Sequence, residues 1–204
     1  MTRVKICGVT SAADAQAAAE AGADLIGIHF CSSRRRISLD EAERVVQALG
    51  DEPRPQLVGV FLDASEEEVA AVCERVSLDA VQLHGSEAPG FRAPVPVLKA
   101  LKVRAGMVPD GAGWPDPILL DAWSADGRGG SGQAWDWTLA AELSRSRRIF
   151  LAGGLTAANV GRLVAQVAPW GVDVSSGVES EEGRKDSELM RDFVGAVRRG
   201  EGGR

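Results

Sequence analysis

Short apolar runs and helix-like segments alternate along the whole chain, and this alternation constrains the fold more than any other feature. The apolar runs are Val4–Cys7, Asp24–Ile28, Gln56–Phe61, Asp79–Leu83, Val95–Ala100, Ile118–Asp121, Arg148–Ala152 and Val172–Ser175. Each has the length and composition of a strand buried on both faces. Between them lie segments with helix signals. An Ala-rich stretch from Ser11 to Ala21 is closed by Gly22. Ser38 caps a helix to about Leu49, with Glu41 as capping-box partner. Further helices are expected at Ser65–Val76, weakly near Ser86, at Trp137–Leu143, at Thr156–Val167 and from Asp186 to about Arg198. The connection Val103–Gly113 is Gly-rich and carries little helix signal, and the tail Gly200–Arg204 is expected to be disordered.

Strict alternation of this kind implies a parallel sheet with helical crossovers. Eight units can close into a single-domain α/β (β/α)8 TIM barrel over residues 1–199. An open doubly wound sheet is the alternative. The chain has 204 residues, enough for one core that buries roughly 70% of the unfolded surface without disulfides or structural metals.

The net charge of −6 gives no general attraction to nucleic acid or an anionic membrane, so neither is expected as a partner. No apolar stretch reaches the ~18 residues of a membrane span, and the N-terminus carries no signal-peptide pattern. Cys7, Cys31 and Cys73 show no metal-ligand spacing, and an odd number argues against a disulfide framework, so a reducing cytoplasm is expected.

In a barrel the chemistry sits at the C-terminal ends of the strands. Those ends carry Cys7, the run Arg34–Arg36, Asp63, Gln82 with His84, Lys99 or Lys102, Asp121, Gly153-Gly154, and Ser175-Ser176-Gly177. The last two loops form a pair. Glycines let backbone N–H groups approach an anion, serine hydroxyls add donors, and the two final loops are the usual phosphate site of this fold. Asp121 ends an apolar strand, where partial desolvation is expected to raise its pKa and suit it to general acid work. Cys7 is a competent base or nucleophile if cations lower its pKa, and Lys5 lies on the same side of its strand. Read on residues alone, an inert buried thiol remains the alternative for Cys7, and a cap or loop ion pair for Asp121. The arginine run can clamp a carboxylate through paired hydrogen bonds or serve as a solvated charge run. His29 and His84 have no clustered partners, so no metal site is expected.

Taken in order, several segments resemble the phosphoribosylanthranilate isomerase family. They are Val4-Lys5-Ile6-Cys7-Gly8-Val9-Thr10, Val81-Gln82-Leu83-His84-Gly85, Leu119-Leu120-Asp121, and Gly129-Gly130-Ser131-Gly132-Gln133-Ala134-Trp135-Asp136-Trp137. The series continues with Leu151-Ala152-Gly153-Gly154-Leu155, Asn159-Val160, Asp173-Val174-Ser175-Ser176-Gly177-Val178-Glu179 and Gly183-Arg184-Lys185-Asp186. The resemblance implies an Amadori rearrangement of a small phosphoribosyl substrate without cofactor, in a monomer or homodimer. It makes Cys7 the general base and Asp121 the general acid. It puts the phosphate at Gly153, Gly154, Ser175, Ser176 and Gly177, and brings Lys5, Gln82, His84 and Gly130 to the substrate. An arginine after the second strand would hold the anthranilate carboxylate. The family usually shows Ser-Pro-Arg or Ser-Lys-Arg there, in a slightly longer loop. Aligning on Ser33 and Ile37-Ser38 selects Arg35, with Arg36 as the alternative. A related histidine-pathway isomerase uses two aspartates, whereas the first strand here ends in Cys7. A Schiff-base aldolase through Lys99 or Lys102 and a non-catalytic sugar-phosphate barrel are further readings.

Overall fold

The computed structural model describes residues 1–51, 53–104, 107–122 and 135–202. Eight parallel strands form a closed barrel in chain order: β1 (Arg3–Cys7), β2 (Leu25–His29), β3 (Gln56–Phe61), β4 (Ala80–Leu83), β5 (Val97–Val103), β6 (Ile118–Ala122), β7 (Ile149–Leu151) and β8 (Gly171–Val174). β8 pairs with β1, which rules out the open sheet. The helices are α1 (Ala12–Glu20), α2 (Leu39–Leu49), α3 (Glu66–Val76), α4 (Leu143–Ser146), α5 (Ala157–Val167) and α6 (Ser187–Glu201). Local chemistry starts several of them. The Ser11 hydroxyl accepts the Asp14 N–H at α1, and Ser38–Glu41 and Ser65–Glu68 form reciprocal capping boxes at α2 and α3.

The strand faces divide the core in two. Residues such as Ile6, Ile26, Leu83 and Leu120 pack outward under the helices. Leu25, Val58, Leu98, Ala100, Leu119, Phe150 and Ala152 form a second apolar cluster that fills the barrel. Side chains two apart share a face, so the strand that puts Leu119 in this plug puts Asp121 above it at the mouth. Trp170 closes the floor. Its ring meets Phe150 edge-on at 5.1 Å, and the guanidinium carbons of Arg3 and Arg148 lie 4.8 and 5.7 Å from the ring centroid.

Three expectations are corrected and one element is new. No helix forms near Ser86: the segment between β4 and β5 is irregular, carries Pro89, Gly90, Pro94 and Pro96, and is pinned by Glu87, which accepts the Asp63 and Gly85 N–H groups and pairs with Lys99 at 2.6 Å. The helix expected at Trp137–Leu143 is a 3-10 turn over Trp137–Ala140 followed by the single turn of α4. Gly200 and Glu201 are not a disordered tail but the end of α6. Gly200 seats against α5, where a β-carbon would lie 2.4 Å from the Gly161 carbonyl oxygen, and Glu201 accepts the Thr2 N–H. Finally, a two-stranded hairpin, β9 (Glu179–Glu181) and β10 (Arg184–Lys185), follows β8 and was not anticipated.

Phe150 is wholly buried in the plug. Phe150→Ala is expected to lower stability by ~3–5 kcal/mol in urea unfolding, the range for removing a large core aromatic.

Candidate active site

A cavity of about 500 Å³ opens at the C-terminal end of the barrel. Cys7, Gln82, His84 and Asp121 line it, together with Gly153-Gly154 and Ser175–Gly177. Strand register explains the inner part of the wall. Lys5 on β1 is level with Asp173 on β8, Cys7 with Gly27 on β2, and Lys102 on β5 with Asp121 on β6. Residues level on adjacent strands meet on the same face, so these pairings are set by the barrel itself.

Lys5 is wholly buried, with Nζ 2.8 Å from Asp173 Oδ1. Burial disfavours its charge, but Asp173 and the Cys7 sulfur more than offset this and hold the ammonium above its ordinary value. Burial pushes the Asp173 carboxyl the other way, toward protonation, against the pull of Lys5. One cation thus lies between the Asp173 carboxyl and the Cys7 sulfur. Gly27 makes room for this cluster: a β-carbon there would stand 2.8 Å from Cys7 Sγ and 3.0 Å from Lys5 Nζ. His29 Nε2 lies 3.4 Å from the same sulfur, and its Nδ1 lies 3.0 Å from Ser33 Oγ.

Asp121 sits on the other side of the mouth. Lys102 Nζ donates to its Oδ2 at 2.6 Å, and His84 Nε2 is 3.4 Å from that oxygen. Gln82 Nε2 lies 3.2 Å from His84 Nδ1, and the buried Gln82 Oε1 has no partner among the described residues. The expected rise in the Asp121 pKa is overturned. Burial does raise it, but the His84 hydrogen bond and the Lys102 charge outweigh burial and hold the carboxyl below its ordinary value.

The remaining wall combines glycine turns with cationic side chains. Gly153 and Gly154 both have positive φ, 90° and 68°, and a β-carbon on Gly153 would press within 2.6 Å of Ala122 Cβ. At Gly177 a β-carbon would be 1.9 Å from the Leu155 carbonyl oxygen, so only glycine lets the two loops touch. Asn159 at the start of α5 accepts the Thr156 N–H and donates to the Gly154 carbonyl, which fixes the turn. Arg35 crosses over Gly8, where a β-carbon would be 2.3 Å from Arg35 Cδ. Its Nε and Nη2 donate to the two oxygens of Glu179, both at 2.7 Å. Lys185, from the hairpin, also donates to Glu179 at 2.7 Å and to the Ser175 carbonyl at 3.1 Å. Arg34 and Arg35 line the cavity, whereas Arg36 is not in its lining.

A family model described as N-(5'phosphoribosyl)anthranilate (PRA) isomerase matches residues 4–196. The chain belongs to this isomerase family. It is 44% identical over 207 residues to the N-(5'-phosphoribosyl)anthranilate isomerase of Geobacter sp. strain M21, covering 98% of this chain and 99% of the relative. The crystal structure of phosphoribosyl anthranilate isomerase from Thermotoga maritima superposes with a TM-score of 0.86 at 37% identity, covering 97% of this chain and 99% of that one. A further isomerase structure, in complex with reduced 1-(o-carboxyphenylamino)-1-deoxyribulose 5-phosphate, matches with a TM-score of 0.81 at 34% identity over 97% of this chain and 99% of that one.

For this member of the isomerase family, the sequence-derived residues Cys7, Asp121, Arg35, Gln82, His84, Gly153, Gly154, Ser175, Ser176 and Gly177 line one cavity. Lys5 stands below that lining, buried beside Cys7 and Asp173. Gly130 lies outside the described residues. Lys99 is held by Glu87 and the Gly85 carbonyl and is not in the lining, which leaves no place for a Schiff base there. Lys102 was placed at a strand end but not paired with Asp121; Asp173, Glu179, Lys185 and His29 were not singled out from the sequence. Each depends on a neighbour distant in sequence, although the i, i+2 spacing from Gly27 could have flagged His29.

Removing the Lys102 charge should raise the Asp121 pKa, and carbon-detected NMR titration of Lys102→Met would read it. Arg35 and Lys185 overcome the burial of Glu179 and hold its carboxyl down, to about 2. A depressed carboxyl stabilises the fold fully above its unfolded value and loses that contribution as pH falls. Wild type should therefore exceed Glu179→Gln in urea resistance at neutral pH, and the gap should close between about pH 4.5 and 2.

Proposed function

We propose that the protein isomerises N-(5'-phosphoribosyl)anthranilate to 1-(2-carboxyphenylamino)-1-deoxyribulose 5-phosphate by general acid–base catalysis, as a step of tryptophan biosynthesis. The observation that carries this reading is that Cys7 and Asp121, three strands apart around the ring, line one cavity beside paired glycine loops. The chemistry needs those types. An acid protonates the furanose ring oxygen, the C1–O bond breaks, and the nitrogen lone pair forms an iminium. A base then removes the C2 proton. The C–H electrons form C1=C2 and the iminium electrons return to nitrogen, giving an enolamine that tautomerises to the ketone.

Asp121 is the acid in this reading. Lys102 Nζ and His84 Nε2, both on Oδ2, hold the carboxyl in place at the mouth. Cys7 is the base, with the Lys5 ammonium stabilising its thiolate. Each group can contribute ~10²–10⁴-fold. Glu179 occupies one edge of the Arg35 guanidinium, and Nη1 donates to no described residue. The free edge is presented to the substrate carboxylate in a fixed orientation. The phosphate takes the N–H groups and hydroxyls of Gly153, Gly154, Ser175, Ser176 and Gly177, in loops after β7 and β8. The buried Gln82 Oε1, without a partner among the described residues, is suited to accept a sugar hydroxyl.

The test is the loss of phosphoribosylanthranilate fluorescence with no added metal or nucleotide. Cys7→Ser and Asp121→Asn should each reduce kcat by at least ~100-fold. Near-normal kcat in either variant would remove that residue from its role.

A further inference from the structure

We propose that His29 is a positioning residue for the Cys7 base, holding the thiolate through its Nε2–H, and that Ser33 ties it to the segment carrying Arg35. The proposal rests on the reading of Cys7 as the base.

The placement starts from the strands. Cys7 and Gly27 are level on β1 and β2, and His29 stands two residues beyond Gly27 on the same face. With no side chain at Gly27, the sulfur settles toward β2, where the imidazole Nε2 meets it at 3.4 Å. Ser33 is the partner of the other ring nitrogen. Its Oγ accepts the Arg35 N–H at 3.1 Å and lies 3.0 Å from His29 Nδ1. In the proposed arrangement the hydroxyl donates to Nδ1, which leaves the ring hydrogen on Nε2, facing the sulfur.

The charge balance sets the protonation state. Lys5 from β1, Lys185 from β10, Arg35 from the loop after β2 and Asp173 from β8 face the ring, and Cys31 faces the sulfur. Burial, with Lys5, Arg35 and Lys185, pulls the imidazole down to about 4 against Asp173. The ring is therefore neutral at working pH and does not take the thiol proton for itself. It serves as a second, directional donor beside the Lys5 ammonium. A thiolate held from two directions keeps one lone pair aimed into the cavity. The link Ser33–Arg35 gives the same short loop both tasks: orienting the base and binding the substrate's carboxylate.

The experiment compares His29→Phe, His29→Gln and Ser33→Ala with wild type in the full-length protein. Thiolate absorbance near 240 nm is titrated as a difference against Cys7→Ala, alongside the pH dependence of kcat and KM. Losing one charge-assisted donor should move the thiolate titration in His29→Phe upward by about one pH unit, with the acidic limb of kcat following. At neutral pH kcat should fall about tenfold while KM stays within about twofold. His29→Gln, whose amide can reach the place of Nε2, should recover most of both. Ser33→Ala should shift the titration in the same direction by less, and it carries the test if His29→Phe does not fold. An unshifted thiolate titration in a folded His29→Phe overturns the proposal. A shifted titration with an unmoved rate limb upholds the pair and instead overturns the reading of Cys7 as base.

Discussion

The site depends on one buried ammonium. Lys5 Nζ sits inside the barrel with no exposure, between Asp173 and the Cys7 sulfur. Placing a lone charge there would cost several kcal/mol, so its partners are structural necessities as much as chemical ones. The first strand cannot shift register without separating Lys5 from Asp173, and the same register places Cys7 against Gly27. Fold and chemistry are thus held by the same contacts.

The acid side repeats the arrangement with a looser hand. Lys102 and Asp121 are level on β5 and β6, as Lys5 and Asp173 are on β1 and β8. Lys102 is partly open to solvent, whereas Lys5 is sealed. Charges sealed from water are screened less than charges that solvent reaches, so the Lys5 pair is held more firmly than the Lys102 pair. The low-lying Asp121 carboxyl corrects the simple picture in which burial alone makes an acid: in a site this crowded with cations, neighbours outweigh desolvation.

Much of the fold was legible because it rests on local pattern. The eight strands follow from apolar runs, and the capping boxes at Ser38 and Ser65 follow from residues three apart. The failures are equally physical. Nothing local reveals that Gly200 and Glu201 stay helical, because what holds them is Gly161 and Thr2. The hairpin at Glu179–Lys185 was hidden because its short strands exist to bring Lys185 and Glu179 under Arg35. Cys7 and Asp121 could be found from strand ends. That Lys102 pairs with Asp121, and Asp173 with Lys5, became visible only with the register.

The tie between the first and last residues described has a practical reach. Thr2 donates to Glu201, and Arg198 donates to the Thr2 carbonyl at 2.6 Å, so both ends of the chain leave from the floor beside Trp170. Anything appended to either end, whether a tag or a neighbouring enzyme of a fused polypeptide, hangs from the side opposite the opening and leaves the route for ligand entry clear. Joining the two ends with a short linker would likewise yield a circular permutant whose new termini can be cut in an outer loop without disturbing the mouth.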